Sequence, residues 1–356
     1  MPPPLHVQTP MIYSPILSIK SGCQVYLKLE SGQPSGSFKS RGLGALARDA
    51  LSRGKTHFVT SSGGNAGLAA AYSAMALAVQ CSVYVPSSTP EPVQQRLRML
   101  GAQVIPAGNV WDEADKEARK FVESNPESEY LPPFDHEMIM KGHSTMVEEM
   151  YSQWKEMGHA DDVKPDAILC SVGGGGLLGG ILEGCSKTQW KNTTILACET
   201  EGTASFNASM RAAYRHVPPT SDMVTLDKIR SIANTLGART VSKLTIDRCI
   251  TYAGEIKSLV MSDARAIHAL KNFADDHKIL VEPACSVSLA PLYDKTVLAE
   301  IFPTNLEERK APPKVVVIVC GGSGASISQV TAWEEQFKDV LWGECNVTTF
   351  IAKNSN

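Results

Sequence analysis

Short apolar runs alternate along the chain with longer stretches in which apolar residues recur every three or four positions. The runs Gln24–Leu29, His57–Thr60, Cys81–Val85, Val104–Pro106, Ala167–Val172, Thr194–Cys198 and Lys314–Val319 predict β-strands. The longer stretches predict helices over Phe38–Ser52, Asn65–Met75, Pro92–Leu100, Trp111–Val122, His143–Met157, Leu177–Ser186, Asp263–His277 and Cys285–Asp294. Strands that alternate with helices predict an α/β fold with parallel sheets covered on both faces. A length of 356 residues exceeds one small core and predicts two domains. The segment 303–313 reads as a surface loop, and the polar tail after about residue 343 as poorly ordered.

Composition narrows the class. Hydrophobic residues make up 43% and charged residues 20%, which is ordinary for a globular chain. The net charge of -3 argues against nucleic acid as a partner, because neutralising phosphates needs a basic surface. No apolar run reaches membrane-spanning length, and the first residues show no signal-peptide pattern. The nine cysteines lack CxxC spacing. That fits reduced thiols in the cytoplasm better than a disulfide framework. The sequons at Asn192, Asn207 and Asn346 are then chance matches. The eight histidines show no metal-ligand spacing. His143, near a predicted helix start, reads as a packing or capping residue. The pairs Glu148-Glu149 and Asp161-Asp162 read as solvated faces.

Four glycine-rich or small-residue turns carry the candidate chemistry. Gly173 to Gly176 follow an apolar strand and open a helix, where free amides and the positive end of the helix dipole suit a phosphate. Lys39 follows Ser35, Gly36, Ser37 and Phe38. The small residues admit a planar ligand and Phe38 can pack beneath it. A lysine made less basic by burial is the usual amine for an imine with a carbonyl cofactor. Ser61-Ser-Gly-Gly-Asn-Ala-Gly67 opens another helix and forms a second anion cradle, sized for a carboxylate; Asn65 can also bond a ring hydroxyl. The plain alternative is helix capping by Ser62 or Asn65. Cys320-Gly-Gly-Ser-Gly324 follows the most apolar strand, at the mouth of the sheet where ligands bind; Cys320 reads equally as a buried small hydrophobe.

A rival pattern overlaps the first turn. Gly174 to Gly179 match G-x-G-x-x-G, and Glu199 lies 20 residues beyond Gly179. That spacing is the dinucleotide fingerprint of a nicotinamide-dependent oxidoreductase. It leaves Lys39, residues 61–67 and residues 320–324 unexplained.

Several stretches in order give the chain a close resemblance to a known family. They are Leu27-Lys-Leu-Glu-Ser-Gly-Gln-Pro-Ser-Gly-Ser-Phe-Lys39, Ser61–Gly67, Pro132-Pro-Phe-Asp135, Ser171–Leu178, Ile279-Leu-Val-Glu-Pro-Ala-Cys285 and Val315–Ser323. From about Thr9 to about Phe337 the chain resembles the β-family (fold type II) of pyridoxal-phosphate enzymes, and within it the serine and threonine dehydratases. The resemblance implies a tryptophan synthase β-like fold of two open, twisted parallel-sheet domains. Residues 1–36 with 143–356 would form the large cofactor-binding domain, and 37–142 a small mobile one. It implies Lys39 as the Schiff-base lysine and Phe38 against the pyridine ring. It likewise implies Asn65 on the phenolic oxygen, Gly173, Gly174, Gly175 and Gly176 on the phosphate, and Cys320 facing the ring nitrogen. Ser62, Gly63, Asn65 and Ala66 would hold the substrate carboxylate. Glu199, Ser205 and the Thr203 carbonyl would bind a monovalent (K+) or divalent cation.

The implied reaction is β-elimination of L-serine to pyruvate and ammonia, and of L-threonine to 2-oxobutanoate and ammonia, by a cytoplasmic homodimer. Cys320 in place of an acid would leave the ring nitrogen unprotonated and weaken the electron sink, which suits prompt departure of a leaving group. The alternative within the family is serine racemase or another β-family reaction. Racemases of this family carry serine at position 63, so Gly63 predicts poor racemisation. No regulatory extension is evident, so feedback by isoleucine is not expected.

Overall fold

The structure, a computed structural model, describes residues 3–302, 311–340 and 343–351. Its strands are β1 (Met11–Tyr13), β2 (Gln24–Lys28), β3 (His57–Thr60), β4 (Gln80–Val85), β5 (Gln103–Pro106), β6 (Ser128–Tyr130), β7 (Ala167–Ser171), β8 (Thr194–Thr200), β9 (Glu255–Met261), β10 (Lys314–Ile318) and β11 (Asn346–Ile351). The helices are α1 (Pro15–Ser21), α2 (Lys39–Ser52), α3 (Asn65–Leu77), α4 (Glu91–Met99), α5 (Trp111–Ser124), α6 (Glu137–Glu156) and α7 (Gly176–Lys187). They continue with α8 (Ser205–Ala213), α9 (Lys243–Thr251), α10 (Asp263–His277), α11 (Pro283–Ser286), α12 (Lys295–Ile301) and α13 (Ile327–Phe337).

The strands form two sheets. One has seven strands in the order β1-β2-β10-β7-β8-β9-β11, and the other four in the order β5-β4-β3-β6. All pairings are parallel except at the two edges of the larger sheet, where β1 and β11 run antiparallel to β2 and β9. The α/β expectation holds, with this refinement at the edges. Each sheet has its own core. Trp154, Trp190, Phe206 and Phe273 pack with the valines of β10 around the larger sheet, and Leu43, Leu46, Phe58, Val83 and Leu97 fill the smaller. No helix among the described residues is long and apolar enough to cross a membrane.

Topology gathers the candidate turns. β2, β10 and β7 are adjacent and parallel, so the chain leaves all three at one edge of the sheet. There it runs into residues 29–38, 319–326 and 172–175 respectively, at the carboxyl ends where open α/β sheets bind ligands.

Four expectations need correction. α6 begins at Glu137, because the His136 ring caps it by accepting from the Met138 amide at 3.0 Å. His143 therefore lies mid-helix, as a packing residue. The helix expected over Cys285–Asp294 is instead the short α11 and a 3₁₀ turn over Ala290–Tyr293; Pro291 lacks the amide an α-helix needs there. The tail holds an ordered strand, β11, because Val347, Thr348, Thr349, Phe350 and Ile351 favour an extended backbone and Phe350 buries against the core. Residues 303–310 of the expected surface loop lie outside the described residues. Finally, Glu149 is no solvated face. It accepts from both Arg41 and Lys28 at 2.7 and 2.8 Å, in a buried network that Glu30 completes. That network fixes α2 two residues from Lys39.

Candidate active site

Lys39 is the first residue of α2, and its turn is stitched to the one that follows β10. Phe38 donates its amide to the Cys320 carbonyl at 3.1 Å, and Gly322 donates to Gly36 at 2.9 Å. Ser37 and Gly321 form a β-bridge between these bonds. The Lys39 amine donates to the Pro133 carbonyl at 2.5 Å and lies 5.1 Å from the Phe38 ring centre. Phe38 also packs on the fully buried His143, ring centres 4.9 Å apart. Loss of hydration pulls the Lys39 amine down to about 8, against the opposing influence of Cys320 and Glu282. Only the neutral amine is nucleophilic. Labelling of Lys39 by a small amine-reactive reagent in the cofactor-free protein should therefore rise with pH around a midpoint near 8 and level off above it. Mass spectrometry of the labelled peptide reads this directly; a midpoint near the ordinary lysine value of 10.5 would remove the burial argument.

Pro133 leads into Phe134, which covers the glycine run. A Cβ on Gly174 would stand 2.3 Å from the Phe134 ring, so only glycine fits. Gly175 adopts φ +89° and caps α7. The Gly174 carbonyl accepts from the Ser242 amide at 3.0 Å, and the Gly175 carbonyl from the Thr245 hydroxyl at 3.0 Å. Because a peptide unit is planar and trans, tying these carbonyls toward α9 turns the Gly175 and Gly176 amides the opposite way. Among the described residues, no protein group accepts from the amides of Gly173 to Leu178. This is a cradle of unpaired donors at a helix N-terminus, fit for a phosphate.

The Ser61–Gly67 loop is the second cradle. Gly64 is the N-cap of α3 and no side chain caps that helix, so the capping alternative for Ser62 and Asn65 is not realised. Ser61 is anchored instead. Its hydroxyl donates to Asp115 at 2.7 Å and meets the Tyr130 hydroxyl at 2.9 Å, and Tyr130 also donates to Asp115. The Asn65 amide nitrogen donates to Glu282 at 2.8 Å, and its oxygen accepts from the Ser323 amide at 2.9 Å. Asn65 thereby touches the loop that carries Cys320. Cys320 is 4% exposed, with its sulfur 3.5 Å from the Ser171 hydroxyl at the end of β7.

The structure thus brings Phe38, Lys39, Asn65, the four glycines and Cys320 to one edge of the sheet. Ser62, Gly63 and Ala66 lie on the loop beside Asn65. Glu199, near the end of β8, and Thr203 and Ser205, just after it, lie apart from these turns. The buried Glu199 carboxylate accepts from the Phe206 and Asn207 amides, both at 2.8 Å, and burial raises it to about 8. The buried Ser205 hydroxyl has no partner. A buried carboxylate and an orphaned buried hydroxyl are oxygen groups of the type hard cations take as ligands. Among the described residues no group of three or more His, Cys, Asp or Glu could hold a metal ion.

Sequence reasoning assigned no role to Pro133, Phe134, Thr235, Glu282 or Ser323. A signal existed for Glu282, a lone charge in the apolar Ile279–Cys285 stretch. The dinucleotide reading fails on geometry. That fingerprint needs its acid to reach a ribose bound at the glycine turn, but the Glu199 carboxylate is committed to the start of α8.

The fold and the site define a cofactor-dependent α/β enzyme with a buried lysine of lowered basicity among its glycine-rich turns. The chain belongs to the pyridoxal-phosphate dependent enzyme family, whose model matches residues 3–321. Among its relatives, the L-serine dehydratase/L-threonine deaminase of Homo sapiens is 42% identical over 333 residues, which are 94% of this chain and 96% of that protein. The serine dehydratase-like protein of Homo sapiens is 39% identical, over 92% of this chain and 94% of its own. Among solved structures, the fungal L-serine ammonia-lyase from Rhizomucor miehei matches with a TM-score of 0.82 and 34% identity, over 94% of this chain and all of that one.

Proposed function

We propose that the chain is a pyridoxal-phosphate-dependent ammonia-lyase that converts L-serine to pyruvate and ammonia, and L-threonine to 2-oxobutanoate and ammonia. The water lost in the elimination returns when the freed product hydrolyses, so each turnover releases one oxo acid and one ammonia. The observation that carries this reading is the placement of Lys39. Its amine, brought near neutrality by burial, sits between the Cys320 turn and the Pro133-Phe134 segment that lies over the glycine cradle. The dehydratase and ammonia-lyase relatives support the same reaction.

Pyridoxal phosphate, when bound there, supplies an aldehyde that condenses with amines and a ring that draws electrons from the substrate α-carbon. Gly173 to Gly176 would hold its phosphate with their free amides. Phe38 would support the ring, Asn65 would bond the phenolic oxygen and Cys320 would face the ring nitrogen. A thiol there, unlike a carboxylate, does not stabilise a protonated ring nitrogen. The amides and hydroxyl of Ser62, Gly63, Asn65 and Ala66 take the substrate carboxylate. Lys39, as the neutral amine, removes the α-proton. Gly63 offers no side chain to return a proton on the opposite face, so D-serine should not accumulate.

Residues 37–142 act as a small domain that closes over substrate, and residues 1–36 with 143–356 as the large domain. The four-stranded sheet, which falls within 57–130, supports that division. The enzyme works as a homodimer in the cytoplasm. Glu199, Ser205 and the Thr203 carbonyl bind potassium or a divalent cation. Potassium or magnesium is expected to raise Tm of the wild-type protein by roughly 3 °C, through preferential binding to the folded state. The same salts should do nothing specific for Glu199→Ala, as differential scanning fluorimetry would show.

The test of function is release of 2-oxo acid from purified, cofactor-loaded protein given L-serine, L-threonine or D-serine, with chiral analysis of the remaining amino acid. Pyruvate and 2-oxobutanoate from the L-substrates are expected. D-serine formation without oxo acid would sink the lyase reading in favour of racemisation.

A further inference from the structure

Glu282 has no role in the scheme above. It is 2% exposed, yet its carboxylate meets donors from three separate segments. Oε1 accepts from Asn65 Nδ2 at 2.8 Å and from the Thr235 hydroxyl at 2.6 Å; Oε2 accepts from the Gly324 amide at 2.8 Å. Two glycines make room for it. A Cβ on Gly322 would fall 2.0 Å from the Glu282 carboxyl carbon, and one on Gly324 would fall 2.8 Å from Oε2. A buried carboxylate this crowded and this fully bonded is a built feature, since burying a charged group is costly unless its bonds are made.

The bonds decide how Asn65 points. The two ends of a carboxamide have nearly the same shape and opposite hydrogen-bonding character. As a carboxylate oxygen, Oε1 of Glu282 can only accept from Asn65. The end of Asn65 that faces it must therefore be the NH₂ group. From the other side the Ser323 amide can only donate, at 2.9 Å, and the Ser323 hydroxyl adds a second contact at 3.0 Å. The end that faces Ser323 must be the oxygen. Both ends are specified by independent partners, so the amide cannot flip. One of its two N–H groups is used by Glu282. The other is held in the amide plane and has no protein acceptor among the described residues.

We infer that Glu282 is a positioning residue that orients Asn65, taking one amide hydrogen so that the second is aimed at the phenolic oxygen of the bound cofactor. The inference rests on the proposed role of Asn65 and extends it to a residue that does not itself touch the cofactor. A purely structural Glu282 would affect stability alone. A positioning Glu282 also sets the hydrogen bond that stabilises the phenolic oxygen as an anion, and so affects the electronic spectrum of the bound cofactor.

The test uses the full-length protein loaded with pyridoxal phosphate, in the wild-type, Asn65→Ala, Glu282→Gln and Glu282→Asp forms. Three quantities are read: the visible absorption band and its pH titration, the cofactor Kd from titration of the cofactor-free protein, and Tm of the cofactor-free protein. In Glu282→Gln one amide end always faces a donor, either Asn65 or the Gly324 amide, so the hold on Asn65 is weakened. The band and its titration midpoint should move in the same direction as in Asn65→Ala, and the cofactor Kd should rise about tenfold. Glu282→Asp keeps an acceptor but withdraws it by one methylene, and should fall between Gln and wild type. It carries the test if the Gln variant fails to fold. A shift in Asn65→Ala with none in either Glu282 variant, whatever their Tm, overturns the positioning role. No shift in Asn65→Ala overturns the reading of Asn65 and the inference with it.

Discussion

Lys39→Ala is expected to lower turnover of L-serine by about four orders of magnitude, the upper range for loss of a general base, while leaving a folded protein. The catalytic loss follows from the geometry. Lys39 is the only amine that reaches the Pro133-Phe134 segment over the glycine cradle among the described contacts, and its depressed basicity provides neutral amine at physiological pH. No neighbour can substitute. The Arg41 guanidinium is locked into Glu30 and Glu149 and is held charged by them, and His143 is fully buried against the Phe38 ring. The small cost in stability has a physical basis as well. The lysine is half-buried and makes one hydrogen bond, and the protein disfavours its charge, so removing it relieves about as much as it takes away. Lys39→Arg should fail equally, because a guanidinium does not give up its proton in a protein. Oxo acid release and reductive trapping of the cofactor on the chain would be measured together. Lys39→Ala protein, shown free of wild type, that turns over at even a tenth of the normal rate would sink the assignment.

Much of this site could be read from sequence because its chemistry is written in local grammar. Each cradle is a run of small residues between an apolar strand and a helix, and such runs identify themselves without tertiary information. The same holds for α10, found at its predicted limits because Ser262 caps it and Lys278 ends it in a left-handed conformation. The rest depends on contacts that only the folded chain makes. β1 and β6, at three residues each, are too short for any periodicity to register. β9 is interrupted by Lys257, whose stem is buried while its amine reaches the Ile301 carbonyl at 3.1 Å. In sequence Glu149 looks like any surface acid, and Glu282 stands out only as a charge among apolar neighbours. Glu282 becomes a clamp on Asn65 and Glu149 a buried partner of Arg41 only because distant segments bring donors to them. Local pattern therefore identifies which loops bind, and tertiary closure determines how each side chain in those loops is aimed.

The largest structural consequence of that local grammar falls on Gly67. A Cβ there would lie 1.7 Å from the Ser62 carbonyl oxygen and 2.9 Å from its carbon. These are backbone atoms, so no rotamer change relieves the overlap, and the loop itself must move. Gly67→Ala should cost about 3 kcal/mol, the upper range for overpacking, and lower Tm by roughly 5–10 °C. Displacing Ser62 also displaces the free amides that follow it, which on our reading hold the substrate carboxylate. KM for L-serine should accordingly rise on the order of a hundredfold, about the worth of two displaced charge-assisted bonds. The visible band of the bound cofactor should change little, since Gly173 to Gly176 are held from α9 and Phe134, and the Asn65 side chain is held from outside this loop by Glu282 and Ser323. Gly64→Ala is the control. A Cβ at Gly64 meets only the Ser62 hydroxyl, at 4.0 Å, so it should leave Tm and KM near their wild-type values. A folded Gly67→Ala protein with unchanged KM would detach the Ser61–Gly67 loop from substrate binding. A rise in KM confined to Gly67→Ala would tie the carboxylate to this loop through backbone position alone.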